Sequence, residues 1–130
     1  MIAGLLVAVN LMLTGGSLCT ADHQDFDGYR YKEQIAHCKR NVAYSLKTYV
    51  YKMYDIDLKY RKNYTIDHFY PLSLGGDNSF SNLWPQHKSI HSGKCEGDLY
   101  RKVSSGQMTA QRARDILYDL KVLGGKCENK

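Results

Sequence analysis

The sequence predicts a single α+β domain in which two short strands lie between helices. Apolar residues recur at three- and four-residue steps over 33–54 and again near the C-terminus, which is the period of an amphipathic helix. Segment 64–69 is rich in aromatic and β-branched residues and is typical of a strand, and 80–84 is predicted as a second strand or extended piece. The turn signal Gly75-Gly76-Asp77-Asn78 lies between them. We therefore expect the order helix, strand, turn, strand, helix, helix.

Length and composition limit the protein to a small globular domain. The chain has 130 residues, a formal net charge of +5 and only two prolines. A chain of this size can bury roughly two-thirds of its unfolded surface. These values exclude a collagen-like repeat, a coiled coil, a disordered polar chain and a large dinucleotide-binding sheet. The positive charge points mildly to a polyanionic partner, although many solvated proteins carry a similar charge.

The first 21 residues differ from the rest because they carry no charged side chain. The apolar run Ile2–Leu13 is too short to span a bilayer, which needs about 20 residues. It is typical of a secretory signal, and small residues follow it. We predict a signal peptide over 1–21, cleaved after Ala21, and export to the bacterial periplasm or the medium. One alternative is a lipid anchor on Cys19, although Leu18 is bulky for a lipoprotein signal, and the other is a buried or membrane-attached helix.

Cleavage after Ala21 would leave three cysteines, Cys38, Cys95 and Cys127. In an oxidising compartment we expect one disulfide and one unpaired thiol. The sequence does not choose among the three possible pairs. No two of these cysteines have Cys-x-x-Cys spacing, so a zinc knuckle is not expected.

The N-terminal half is predicted to contain one long helix. Residues 22–32 are polar and predict a flexible lead-in, and 33–125 are expected to form the domain. The helix is predicted over Glu33–Tyr54. Four basic residues of this segment lie outside the apolar stripe, namely Lys39, Arg40, Lys47 and Lys52. They form either a solvated face or a flank that faces phosphates.

Two further helices are predicted after the strands. The first runs from Gln86 to about Ser104, although its internal glycines weaken the helix. The second begins after Thr109, a suitable N-cap residue, and ends at Gly124. Phe80 and Trp84 are expected in the core.

Several residues able to do chemistry lie between 67 and 91. Asp67 and His68 stand at the end of the first predicted strand, with Asn82 fourteen residues after His68 and His91 nine residues after Asn82. A carboxylate and an imidazole that meet can hold one divalent ion, and a second imidazole beside the carboxylate can take a proton from water. With nearby basic side chains, this set is the equipment for phosphodiester hydrolysis. The candidates for binding neighbouring phosphates are Lys88, Lys94, Arg101 and Lys102.

The order and spacing of these residues resemble a known family. The motif Asp67-His68-x-x-Pro71-Leu72-x-x-Gly75-Gly76, followed by Asn82-Leu83-x-Pro85 and His91, is similar to that of the HNH endonucleases, the ββα-metal nucleases. The resemblance covers Tyr64 to Tyr100, roughly a third of the chain. It implies a hairpin-plus-helix core, here flanked by an N-terminal and a C-terminal helix. The wider sequence resembles small exported bacterial HNH-domain proteins.

The resemblance also implies roles for the matched residues. His68 would be the general base, and Asn82 would brace the loop that holds it. Asp67 and His91 would hold one divalent metal ion, with His87 as an alternative to His91. Mg²⁺ is the expected ion, and Mn²⁺, Ni²⁺ and Zn²⁺ are the alternatives. Many HNH proteins carry Cys-x-x-Cys zinc pairs around the hairpin, but this sequence has none, so no structural zinc is expected.

The predicted function is therefore a metal-dependent endonuclease that acts on DNA, with RNA as a further substrate. Little sequence preference is expected because the chain has no separate reading domain. Two alternatives stay open, namely an inactive HNH fold that binds nucleic acid and an interaction protein of the envelope. The presence of Asp67, His68 and Asn82 favours the enzyme. We expect a monomer without a membrane span once the signal is removed.

Overall fold

The computed structural model describes residues 15–125 and Cys127, so the apolar run Ile2–Leu13 lies outside the described residues. The described elements are strands β1 (Phe26–Arg30) and β2 (Ile35–Cys38), helix α1 (Tyr44–Met53), strands β3 (Tyr64–His68) and β4 (Leu83–His87), and helices α2 (Gly93–Ser104) and α3 (Ala110–Leu123). This arrangement confirms the predicted α+β class. None of the helices in this part of the chain is long and apolar enough to cross a membrane.

The N-terminal region differs from the prediction because it contains a β-hairpin. Strands β1 and β2 pair antiparallel, with Tyr29 opposite Ala36, so part of the predicted flexible lead-in is an ordered strand. The predicted helix over Glu33–Tyr54 is wrong in its first part, since α1 begins at Tyr44. Apolar residues of β2 happen to match the helical period, but pairing with β1 satisfies their backbone groups as a strand.

The cysteines form two disulfides, Cys19–Cys38 and Cys95–Cys127. In the uncleaved chain Cys19 is only 6% exposed and no cysteine is free, so the expectation of one unpaired thiol depends on the predicted removal of Cys19 with the signal. Cleavage after Ala21 stays a prediction, but it would remove Cys19 from the domain. Cleavage before Gly16 would keep this bridge.

Replacing both Cys19 and Cys38 with serine is expected to lower the free energy of unfolding by about 3 kcal/mol. The bridge joins residues 19 positions apart, and the loop-entropy relation gives about this value for such a loop. Urea unfolding of the oxidised full chain measures it. Urea unfolding of the double variant after mild reduction measures the contribution of the other bridge, Cys95–Cys127, as a control. A loss under about 1 kcal/mol would show that this bridge does not constrain the unfolded chain.

Strands β3 and β4 form the second antiparallel hairpin, with Tyr64 opposite His87 and His68 opposite Leu83. The first of these strands agrees with the prediction, whereas the second begins later because Phe80–Asn82 forms a short 3₁₀ turn. Residues around Gln86, predicted to be helical, therefore belong to β4. Helix α2 begins only at Gly93.

The apolar core has two parts that meet at this hairpin. One lies between α1 and the hairpin and contains Val50, Tyr54, Ile56, Phe69, Leu83 and Trp84. The other lies between α2 and α3 and contains Leu74, Cys95, Leu99, Val103, Ala110, Ala113, Ile116 and Leu117. Helix α3 is capped as predicted, since the Thr109 hydroxyl accepts a hydrogen bond from the Arg112 amide at 3.1 Å. The hairpin is thus held by helices packed around it.

Candidate active site

Strand β3 presents Asp67 and His68 on opposite faces of the hairpin, because successive side chains of a strand alternate. Asp67 is half-buried, whereas His68 is only 4% exposed. One carboxylate oxygen of Asp67 accepts a hydrogen bond from the His68 amide at 3.0 Å. Within the described residues, its other carboxylate oxygen has no hydrogen bond. That oxygen can therefore bind a ligand.

The surroundings of the His68 imidazole keep the ring neutral at pH 7. Burial lowers the pKa of the imidazole, and the positive charges of Arg40 and Lys121 act in the same direction. The hydrogen bond with Asn78 and the charge of Asp67 oppose this shift in pKa without reversing it. A neutral imidazole is the form that can accept a proton, as a general base must.

Asn78 connects His68 to the N-terminal hairpin. Its Oδ1 lies 2.9 Å from Nε2 of His68. Its Nδ2 donates to Oδ2 of Asp25 at 3.0 Å and to the Lys39 carbonyl oxygen at 2.8 Å. The Asn41 side chain donates to the other oxygen of Asp25 at 2.8 Å. Asp25 and Asn78 are 3% and 5% exposed, so this network is shielded from water.

Asn82 is fully buried and binds both ends of the loop that follows β3. Its Nδ2 donates to the carbonyl oxygens of Tyr70 at 3.0 Å and Asp77 at 2.9 Å. Its Oδ1 accepts from the Tyr70 amide at 3.0 Å, and its carbonyl oxygen accepts from the Phe69 amide at 2.7 Å. This placement suits the bracing role that the resemblance implies, which stays a prediction.

Gly76 passes directly beside this brace. A Cβ atom built on it would lie 1.9 Å from the Tyr70 carbonyl oxygen and 2.7 Å from Nδ2 of Asn82. Both distances are far below van der Waals contact. Only a residue without a side chain therefore fits at this position.

Residues 16–19, the N-terminal strap, run along the same loop. The Gly16 amide donates to the Ser81 carbonyl oxygen at 3.0 Å, and the Cys19 amide donates to that of Gly75 at 2.8 Å. The Ser17 hydroxyl donates to the Asp77 carboxylate at 2.6 Å. The strap lies inside the predicted signal peptide, and no pattern in the sequence indicated that it would pack on the site.

Lys121 of α3 supports the end of β3 from another side. Its buried ammonium group donates to the carbonyl oxygens of Phe69 at 2.7 Å and His68 at 3.2 Å. It also forms an ion pair with Glu96 of α2 at 3.0 Å. The sequence indicates that Lys121 faces the core, because it lies four residues after Leu117 and so on the apolar stripe of α3.

The structure does not place His91 in a helix. His91 lies two residues before Gly93, the first residue of α2, and is exposed. The prediction of a helical position is wrong because β4 and a turn occupy this part of the chain, and its role as a metal ligand stays a prediction. His87 pairs with Tyr64 at the far end of the ladder from Asp67, about 10 Å away along the strand. That distance argues against His87 as the alternative ligand.

The predicted phosphate-binding residues lie on α2 and on the turn before it. Lys88, Lys94 and Arg101 are exposed, and Lys102 is half-buried. Lys94 forms an ion pair with Asp98 at 2.9 Å, and Arg101 pairs with the same carboxylate. Part of the positive charge of α2 is therefore neutralised within the helix.

Arg40 is an exposed cation whose charge acts on the His68 imidazole. The residues on either side of it, Lys39 and Asn41, both bind Asn78 through their backbone, at 2.8 and 3.3 Å. Its backbone is thus fixed beside the group that binds His68, and its charge lowers the pKa of His68. Within the described residues, its side chain has no ion pair or hydrogen bond. Whether Arg40 belongs to a solvated face or to a flank that faces phosphates stays a prediction.

The donor atoms near Asp67 can be compared with the needs of the divalent metal ion that the resemblance implies. In the part of the chain that the structure describes, no three His, Cys, Asp or Glu side chains converge. The donors present are oxygens. Besides the unbonded oxygen of Asp67, Oε1 of Gln86 is a buried acceptor without a hydrogen bond.

These two oxygens lie on the same face of the hairpin. Asp67 pairs with Trp84 and Thr65 pairs with Gln86, and paired residues share a face. Buried acceptors are normally hydrogen-bonded, so the unpartnered Gln86 oxygen is available to a further donor or a cation. Few oxygen ligands, with the other positions left to water and phosphate, suit Mg²⁺. The donor set therefore fits the implied metal.

Comparison with known proteins agrees with the resemblance. The family model described as HNH endonuclease matches residues 44–96, which include α1, both strands of the second hairpin and the first turn of α2. No curated protein and no solved structure matches the chain. The hairpin followed by α2 is the ββα arrangement that this family implies. Residues 44–96 thus form an HNH endonuclease domain.

Proposed function

We propose that this protein is a metal-dependent endonuclease that hydrolyses phosphodiester bonds in DNA, and in RNA as a further substrate, with little sequence preference. The observation that carries the proposal is the buried imidazole of His68 at the end of strand β3, directly after the half-buried Asp67 in the chain. The HNH family match supports the class of reaction.

In this proposal His68 takes a proton from the attacking water. The water oxygen then bonds to phosphorus, and the bond from phosphorus to the leaving sugar oxygen breaks. Lys121 holds the backbone at His68 and Asn82 holds the loop that follows it, so the imidazole keeps its orientation during the reaction. Arg40 would bind a phosphate next to the base, and Lys88, Lys94, Arg101 and Lys102 would bind more distant ones.

Asp67 would hold the divalent ion, with Gln86 and His91 as further ligands. Mg²⁺ is the proposed ion because Asp67 and Gln86 supply oxygen donors, which this ion prefers. When bound, the ion neutralises charge on the phosphate and on the leaving oxygen. The Asp67 side chain can bind the ion without changing its conformation, because one carboxylate oxygen has no hydrogen bond within the described residues.

We also propose that the protein works in an oxidising compartment after export. Two disulfides support this location, since such bonds persist in the periplasm and outside the cell and are rare in the cytosol. The strap and Cys19 bind the domain, which favours signal cleavage before Gly16.

Plasmid nicking tests the function. The oxidised full chain is incubated with supercoiled DNA and Mg²⁺, and we expect nicking that stops with excess EDTA and returns when Mg²⁺ is restored. Asp67→Asn should need a higher Mg²⁺ concentration. Asp55→Asn, which removes an equal charge at an exposed position, should not.

Folded protein that cuts neither DNA nor RNA with Mg²⁺, Mn²⁺, Ni²⁺ or Zn²⁺ would overturn the proposal. Salt-dependent DNA binding by that protein would then favour the inactive binding fold.

A further inference from the structure

We propose that Asp25 is a positioning residue of the active site, which acts through Asn78 to keep the imidazole proton of His68 on Nε2 and the lone pair on Nδ1. Asp25 lies outside the segment matched by the HNH family, residues 44–96. The catalytic consequence rests on the proposed function, whereas the effect on the imidazole can be measured without it.

The first step is the orientation of the Asn78 amide. One of its terminal atoms lies 3.0 Å from the Asp25 carboxylate and 2.8 Å from the Lys39 carbonyl oxygen. Ionised carboxylates and carbonyl oxygens only accept hydrogen bonds, so this atom must be the amide nitrogen. The atom that faces His68 must therefore be the amide oxygen. The Asn41 backbone amide donates to that same oxygen at 3.3 Å, which agrees with this orientation.

The second step is the position of the proton on His68. Because the Asn78 oxygen can only accept, Nε2 of His68 at 2.9 Å must donate and must carry the proton. In a neutral imidazole the other nitrogen then holds the lone pair. Nδ1 is thus the atom available to take a proton from water.

The third step is the state of Asp25 itself. Its two carboxylate oxygens accept from the side chains of Asn41 and Asn78, and the Asn41 hydrogen bond is the largest of the effects that lower the pKa of this carboxyl. Asp25 is therefore ionised at neutral pH and acts only as an acceptor. It is also 3% exposed, so water does not replace it as a partner of Asn78.

The N-terminal hairpin keeps Asp25 in this place. Asp25 directly precedes β1, and its carbonyl oxygen accepts from the Lys39 amide, just after β2, at 3.0 Å. The Cys19–Cys38 disulfide joins the strap to the end of β2. The hairpin thus contributes a buried anion to a site whose base lies in the HNH domain.

The test uses the isosteric variant Asp25→Asn in the oxidised full chain. An asparagine offers one acceptor where two donors, from Asn41 and Asn78, converge, so one of the two contacts is lost. Asp22→Asn is the matched control, because it makes the same charge change three residues away at an exposed site. The ¹⁵N chemical shifts of the His68 ring are measured at one neutral pH, with His68→Ala identifying the signals.

Wild-type protein and Asp22→Asn are expected to show the Nε2–H form alone, and Asp25→Asn a mixture with the Nδ1–H form. In plasmid cleavage, kcat of Asp25→Asn should fall by about 10- to 100-fold with KM unchanged, the range typical of residues that orient a functional group. Retention of the Nε2–H form and of kcat within about 2-fold in Asp25→Asn would overturn the proposal, since an orienting partner should matter more than this.

If Asp25→Asn does not fold, the ¹⁵N spectrum of the wild-type protein still tests the proposal. An Nδ1–H imidazole in the folded wild-type protein would also overturn it. Failure of the wild-type protein to cleave any nucleic acid would instead refute the proposed function, and the ring shifts would still decide the role of Asp25.

Discussion

Replacing His68 with alanine is expected to lower kcat for plasmid cleavage by about 100- to 10,000-fold, the usual contribution of a general base. The physical reason is that the variant lacks the neutral imidazole that takes the proton from water. DNA binding should remain, because His68 is buried and the proposed phosphate contacts are separate side chains. Initial rates of nicking at saturating Mg²⁺ measure the first effect, and a salt titration of DNA affinity measures the second.

His87→Ala is the matched control for this experiment. His87 is a histidine of the same hairpin, but it is exposed and pairs with Tyr64 at the other end of the ladder. The kcat of His87→Ala should stay within about 3-fold of the wild type, since His87 lies outside the proposed site. Equal cleavage by His68→Ala and wild-type protein, at equal folded fraction, would refute the role of His68.

Replacing Gly76 with alanine is expected to lower the free energy of unfolding by about 3–4 kcal/mol and to reduce cleavage as well. The added methyl group would lie 1.9 Å from the Tyr70 carbonyl oxygen, which is backbone and cannot rotate away. Overpacking of this kind costs up to about 3 kcal/mol, and a lost hydrogen bond of Asn82 adds about 1 kcal/mol. Urea unfolding measures the change.

Gly93→Ala provides the control for a glycine-to-alanine change. Gly93 is the first residue of α2, and a Cβ atom built there meets no atom within 4 Å. This variant should keep wild-type stability or gain up to about 1 kcal/mol, because alanine favours the helix. Similar losses in both variants would mean that the close approach at Gly76 does not decide its effect.

The elements that the sequence predicted well are those whose signals are local. The strand at Tyr64 and the helix after Thr109 have a clear composition and a clear end signal within a few residues. The motif around Asp67, His68 and Asn82 is also short, so residue identity and spacing were enough to indicate a metal-dependent nuclease. The family match over residues 44–96 agrees with the nuclease class, whereas the metal dependence stays a prediction.

The elements predicted wrongly are those whose partners lie far away in the chain. Ile35 follows the period of a helix, yet it lies in β2 because the chain finds a strand partner in β1. Gln86 was placed in a helix because its pairing with Thr65 is not visible in a local window. In both cases strand pairing outweighed the local helical pattern, since backbone groups are satisfied by whichever partner the fold supplies.

The chain's own residue order was sufficient for the class of fold and for the resemblance to the HNH family, from which the proposed reactive residues and type of reaction follow. It was not sufficient for the network around the base. Asp25 stood in a polar segment without a pattern, and Asn78 was indistinguishable from a turn residue. Their roles depend on hydrogen bonds that span 53 and 10 positions of the chain. Such contacts form only when the N-terminal hairpin folds against the HNH domain, because a side chain's chemistry depends on its neighbours in space.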